Sequence, residues 1–166
     1  MFIYSYKIAA MQLSKFSDYA LRVLMHLAAS PDRLLSTRQI AEMHDAKYNH
    51  LTKVTGWLVS EGYAVSSRGR GGGLQLARAP SEINLGKLIR SLEADRPLVE
   101  CHSAQGGACP LTASCGLSIV LQDAQEVFFQ ALEKYSIEDT LLVSPGMTRF
   151  LTNMNDHAAP SATSSR

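Results

Sequence analysis

Residues 36–77 read STRQIAEMHDAKYNHLTKVTGWLVSEGYAVSSRGRGGGLQLA, and the order of elements within them decides the fold. Ser36 and Gln39 stand at the spacing of a capping box, so a short helix starts there and runs along STRQIAEMH. The turn DAK leads into YNHLTKVTGWLVSEG, whose Leu51, Val54 and Leu58 form one apolar stripe and whose Gly62 marks the stop. YAVSSR and LQLA then read as two short strands. The GRGGG between them supplies the positive backbone angles that a tight loop requires, so this segment is a β-hairpin.

Upstream, FSDYALRVLMHLAA (16–29) places Ala20, Val23, Leu24, Leu27 and Ala28 at the three-and-four spacing of a helix with one buried stripe, and Pro31 ends that pattern. Helix, short helix, turn, helix and hairpin is the order of a winged helix-turn-helix, with the hairpin as wing. The predicted fold is therefore mainly α with a small β-hairpin. It comprises a winged helix-turn-helix DNA-binding domain over residues 11–80 and a long C-terminal dimerisation helix.

Beyond Pro80, SEINLGKLIRSLE predicts a linker helix within 81–100, followed by a cysteine-bearing loop at 101–116. Leu117, Leu121, Ala124, Phe128, Ala131 and Tyr135 then fall at alternating steps of four and three. This coiled-coil seam predicts a dimerisation helix over 117–136 and a two-fold homodimer. Residues 137–166 form a C-terminal segment. Its end, NMNDHAAPSATSSR, is small and polar, so disorder is expected from about 155. Residues 1–10, MFIYSYKIAA, precede a second methionine and read either as an N-terminal extension without assigned function or as the product of a misassigned initiation site.

The 166 residues, 46% hydrophobic, suffice for one core with an appended element. MFIYSYKIAA lacks the charged lead and long apolar centre of a signal peptide, and no apolar run approaches the roughly 18 residues of a membrane helix. A cytoplasmic protein with no membrane partner is expected. Residues 11–80 carry nine Lys/Arg against five Asp/Glu, and residues 81–166 six against ten, so the basic half is the half with the helix-turn-helix.

In such a fold the start of the second helix reaches base edges, here Lys47, Tyr48, Asn49, His50 and Lys53. Asn49 can pair in two-pronged fashion with adenine, and the lysines can reach guanine or phosphate. Arg38 and Gln39 fall near a phosphate on the preceding helix. Arg68 and Arg70 tip a slim wing suited to a narrow minor groove. No Lys-Ser/Thr pair follows the glycines and no helix opens there, which excludes a phosphate-cradling nucleotide site.

All three cysteines lie in CHSAQGGACPLTASC (101–115). An odd, clustered set in a reducing compartment points to metal or redox chemistry rather than to disulfides. Cys101, Cys109 and Cys115 are spaced C-x7-C-x5-C, without the close C-x2-C pairs usual in structural zinc sites. An iron-sulfur cluster, [2Fe-2S] or [4Fe-4S], is the favoured cofactor, with His102 keeping a Cys3His zinc site open as an alternative. Three cysteines leave a cluster one protein ligand short, as suits a sensor.

The stretches MQLSKFSDYALRVLMHLA, YNHLTKV, GYAVSSRGRGGGLQLARAPSEINLG and YSIEDTL, together with the three cysteines, resemble the Rrf family of bacterial winged-helix iron-sulfur transcriptional regulators over roughly Met11–Leu142. The resemblance implies a non-enzymatic, dimeric transcription factor that binds a palindromic double-stranded operator and senses through its cluster. FSDYALR and NHLTKV are similar to the NsrR type, repressors that respond to nitric oxide. That type has an aspartate at the position of Asp18, which implies that Asp18 is an oxygen ligand reaching the partner's cysteine loop. The cysteine spacing resembles the RirA type, which responds to iron, and Ser118 stands where the IscR type has histidine. Lys47 and Asp45 replace the serine and glycine usual in the family at the recognition-helix cap and in the turn. Two competing readings are a zinc-braced DNA-binding protein and a redox enzyme using Cys101 beside His102.

Overall fold

A computed structural model describes residues 12–69, 71–103, 106–144 and 146–158. The N-terminal extension, Arg70 and the end of the chain beyond 158 lie outside the described residues.

Helix α1 (Lys15–Ala29) is capped by Ser14, whose hydroxyl accepts from the Ser17 amide. Its stripe of Ala20, Val23, Leu24 and Leu27 is fully buried against the rest of the winged domain. Helix α2 (Thr37–Met43) carries the complete capping box: the Ser36 hydroxyl accepts from the Gln39 amide, and the Gln39 side chain accepts from the Ser36 amide. The turn that follows places Asp45 at φ 47°, a left-handed conformation that aspartate tolerates, so the usual glycine is dispensable there.

Helix α3 (Tyr48–Ser60) has no side-chain cap at Lys47. It ends in a Schellman arrangement, with Gly62 at φ 69° and the Tyr63 amide donating to the Leu58 carbonyl at 2.9 Å. Leu51, Val54 and Leu58 are fully buried, as the stripe predicts.

Strands β1 (Ala64–Ser67) and β2 (Gly73–Leu76) pair antiparallel, from Ala64 opposite Leu76 to Ser67 opposite Gly73. Leu35 adds a third rung, exchanging both backbone hydrogen bonds with Leu74 at 2.9 and 3.1 Å. A Cβ on Gly73 would stand 3.0 Å from the Leu35 backbone, so the last glycine of the wing is there for close approach.

Helix α4 (Leu85–Leu92) is shorter than the linker expected over 81–100. Asn84 caps it, accepting from the Lys87 amide, and the Glu93 amide closes it on the Ile89 carbonyl. Helix α5 (Gly116–Leu132) crosses α4 at Gly86, where a Cβ would meet the Phe129 carbonyl oxygen at 2.6 Å. The predicted helix to 136 stops earlier because Asn84 and Leu85 capture the chain: the Asn84 amide donates to the Glu133 carbonyl and the Leu85 amide to the Tyr135 carbonyl. Tyr135 therefore lies past the end of α5, not on its seam.

Helix α6 (Ile137–Leu142) starts with a second capping box, Ser136 with Asp139, and buries Ile137 in the winged-domain core. Helix α7 (Met147–His157) corrects the sequence reading of the C-terminus. Part of the stretch expected to be disordered, Asn155 to His157, is helical, and Asn155 is 0% exposed. The physical reason is that the segment is held by polar contacts to α1, which a count of apolar residues does not register. Among the described residues, no helix is long and apolar enough to cross a membrane.

Candidate nucleic-acid interface and cysteine loop

Lys47, Tyr48, Asn49 and Lys53 are exposed along one side of α3, and Arg38 lies over the Tyr48 ring at 4.9 Å. The stacking holds a guanidinium at the mouth of a cleft between α2, α3 and the wing, lined also by Thr37, Ser66 and Ser67. Among the described residues no carboxylate lines this cleft, which offers the Arg38 cation and hydroxyl donors, the complement of a phosphate backbone. Arg68 is exposed at the base of the wing tip. The wing serines and exposed Thr52, whose hydroxyl donates to the Tyr48 carbonyl, escaped the sequence reading because serine and threonine carry no distinctive pattern.

Two predicted contact residues turn elsewhere. Gln39 spends its side chain on the capping box and on donating to the Ala158 carbonyl at 2.9 Å. His50 is half-buried, edge-on to the Tyr19 ring at 5.2 Å and close to Phe16, so it braces α3 on α1. Arg70 lies outside the described residues.

The cysteine loop joins α4 to α5. Cys101 and Cys115 are half-buried, Cys109 is exposed, and all three are free thiols. Cys101 sits in a single 3-10 turn, Cys115 occupies the N-cap of α5, and Gly106 takes φ 66°. The amides at that helix start favour negative charge beside Cys115. His102 Nε2 and Ser118 Oγ lie 2.7 Å apart, pinning the start of the loop to α5. Among the described residues, no three His, Cys, Asp or Glu side chains converge to hold a metal ion. Three soft donors on one open loop fit a bulky anionic cofactor that draws the loop around it, and they fit a compact tetrahedral zinc site less well.

Asp18 is paired within its own helix, its carboxylate receiving Arg22 at 2.8 and 3.0 Å. A second carboxylate, which the sequence reading did not single out, joins the winged domain to α4: Glu93 accepts from the Ser14 amide and from the hydroxyl of Ser17. Burial pushes its carboxyl up, but these hydrogen bonds, with Arg96 nearby, hold it below the usual range.

Of the predicted seam, Leu117, Ala124 and Ala131 are exposed, and Leu121 and Phe128 are half-buried. Leu117, Val120 and Val127 are each more than 60% exposed, so the apolar surface of α5 is wider than the seam.

Comparison with known proteins agrees with this architecture. A family model described as Rrf2, iron-dependent transcriptional regulator, matches residues 13–142. The HTH-type transcriptional regulator NsrR of Bacillus subtilis is 42% identical over 130 residues, covering 78% of this chain and 89% of that protein. The HTH-type transcriptional repressor NsrR of Streptomyces coelicolor is 38% identical over 138 residues, covering 82% and 92%. Among solved structures, T. potens IscR matches with a TM-score of 0.63 at 22% identity, covering 80% of this chain and 87% of that one. CymR, the global cysteine regulator of B. subtilis, matches with a TM-score of 0.60 at 24% identity, covering 81% and 99%. At those identities the two structures speak for the fold alone. With the family match and the NsrR relatives added, the chain belongs to the Rrf2 family and is a DNA-binding transcriptional regulator of the NsrR-like kind, not an enzyme.

Proposed function

We propose that the chain is a homodimeric repressor that carries an iron-sulfur cluster on Cys101, Cys109 and Cys115 and leaves a palindromic operator when nitric oxide attacks that cluster. The observation that carries this reading is the placement of every thiol on one open loop between the winged domain and an uncovered apolar helix. When bound, the cluster supplies a centre reactive toward nitric oxide and oxidants. The three cysteines hold it, and the incomplete set leaves one position for Asp18 of the partner subunit. A reducing cytoplasm keeps the thiols available.

The apolar face of α5 is the dimer surface, occupied by the same helix of a second copy. Full burial of each exposed leucine or valine contributes about 1.5–3 kcal/mol. A two-fold dimer presents its two α3 helices to half-sites about 34 Å apart along the DNA. Asp18 is exchangeable between two partners: Arg22 of its own helix, as seen here, and the cysteine loop of the other chain. Without the cluster Asp18 would keep only its pairing with Arg22, and the tie between one winged domain and the opposite sensor loop would be gone.

The C-x7-C-x5-C spacing favours a second reading, an iron-responsive regulator of the same family. Iron and sulfide analysis of anaerobically purified single cysteine-to-alanine variants tests the ligand assignment. Each substitution is expected to abolish cluster binding while leaving a folded dimer. A variant with full cluster occupancy removes that cysteine from the ligand set, and zinc in the native protein overturns the cluster itself.

A further inference from the structure

Helix α7 lies beyond the residues matched by the family, yet its side chains reach into the helix-turn-helix. Asn155 is fully buried with both of its polar atoms hydrogen-bonded: Oδ1 faces His26 Nδ1 at 2.6 Å, and Nδ2 donates to the His26 carbonyl and to the Ser30 hydroxyl. His26 is itself 0% exposed, and its Nε2 meets His44 Nε2 at 2.8 Å. His44 is the C-cap of α2 and immediately precedes Asp45, the left-handed residue of the turn into α3.

Donor chemistry gives this chain one direction. The guanidinium of Arg22, a donor only, approaches His44 Nδ1 at 3.4 Å. His44 therefore donates from Nε2 to His26, and His26 donates from Nδ1 to the Asn155 carbonyl oxygen. Three more contacts anchor α7 to the same module: the Thr152 hydroxyl donates to the Ala29 carbonyl, the Arg33 guanidinium pairs with Asp156 at 2.6 Å, and Gln39 donates to the Ala158 carbonyl.

We propose that Asn155 and His26 are positioning residues for operator recognition: through His44, α7 sets the angle at which the turn delivers α3 to the DNA. A leucine at 155 would serve a helix that needed only to be packed down. A fully satisfied polar chain instead admits one arrangement of donors and acceptors, and so one placement of the turn. This inference rests on α3 being the reading helix.

The test uses the full chain, a duplex selected from random sequence by the wild-type protein, and a scrambled duplex of the same composition. Asn155→Leu and His44→Phe are expected to weaken binding to the selected duplex about tenfold, the equivalent of one lost base contact. Affinity for the scrambled duplex stays within about twofold, because phosphate contacts tolerate a tilt that base contacts do not. His44→Gln, which keeps an amide donor toward His26, is expected to retain selectivity. Circular dichroism at the assay temperature establishes folding, and His44→Phe at the half-buried position decides the matter if Asn155→Leu does not fold. An unchanged ratio of selected to scrambled affinity in His44→Phe, or an equal fall in His44→Gln, overturns the proposal. A wild-type chain that enriches no sequence overturns the reading surface itself.

Discussion

The imidazoles of His26 and His44 meet Nε2 to Nε2 at 2.8 Å, which requires at least one of the two nitrogens to be unprotonated. Burial lowers the pKa of His44 to about 4, with His26 and Arg22 adding to the effect and Asp18 opposing it. Burial also lowers that of His26, against the hydrogen bond that its Nδ1 donates to the Asn155 side-chain oxygen.

Stability then has a definite pH dependence. Both histidines are neutral in the fold and titrate near 6.5 when unfolded, so the unfolded chain binds more protons as the solution becomes acidic. The contribution of His44 is complete above pH 6.5 and is lost as pH falls toward about 4, and His26 acts in the same direction. Thermal melting across that window is expected to show a falling midpoint, with a shallower fall in His44→Gln. Identical slopes in the two proteins would remove the pair as its source.

Gly86 marks the crossing of α4 and α5. Gly86→Ala is expected to destabilise the protein by about 1–3 kcal/mol in denaturant titration, because the added carbon meets Phe129 and Glu133 backbone that neither helix can move cheaply. Gly56→Ala, whose Cβ meets nothing within 4 Å on the exposed side of α3, is expected to be neutral or slightly stabilising.

Much of the winged domain was legible in the sequence because its signals are local. Ser36 with Gln39, Gly62 after a leucine-valine stripe, and the glycines flanking Arg70 each act within a few residues of themselves. The C-terminal helix was not legible, since what orders Asn155 is His26, 129 residues away. Gln39 and His50 were assigned to DNA by their place in the motif; their side chains are taken by Ala158 and by Tyr19, contacts that only the folded chain creates. The helix through Tyr135 failed for a similar reason, its last turn being displaced by pairing with Asn84 and Leu85.

Lys53 and Asn49 are exposed on the same side of α3 and differ in chemistry. If Lys53 contacts phosphate, Lys53→Ala weakens binding evenly across sequences and reduces the salt dependence of log affinity by about one. Asn49→Ala is expected to cost about 1–3 kcal/mol on the preferred operator and to relax selectivity at one base. Competition binding against a panel of single-base variants separates the two.

Val120 and Val127 are each 63% exposed on α5. The double substitution Val120→Glu, Val127→Glu is expected to give a folded monomer in sedimentation, since the two charges would have to be buried in the proposed interface. A variant that still sediments as a dimer would place the interface elsewhere.

The most direct measurement titrates nitric oxide into anaerobically purified protein while visible absorbance and operator binding are recorded together. A brown protein that bleaches at stoichiometric nitric oxide and releases its DNA over the same range is the predicted result. A brown protein that keeps its operator under nitric oxide but loses cluster and DNA when iron is chelated would contradict the nitric-oxide assignment and favour the iron-responsive reading. A colourless protein carrying zinc would contradict the cluster altogether.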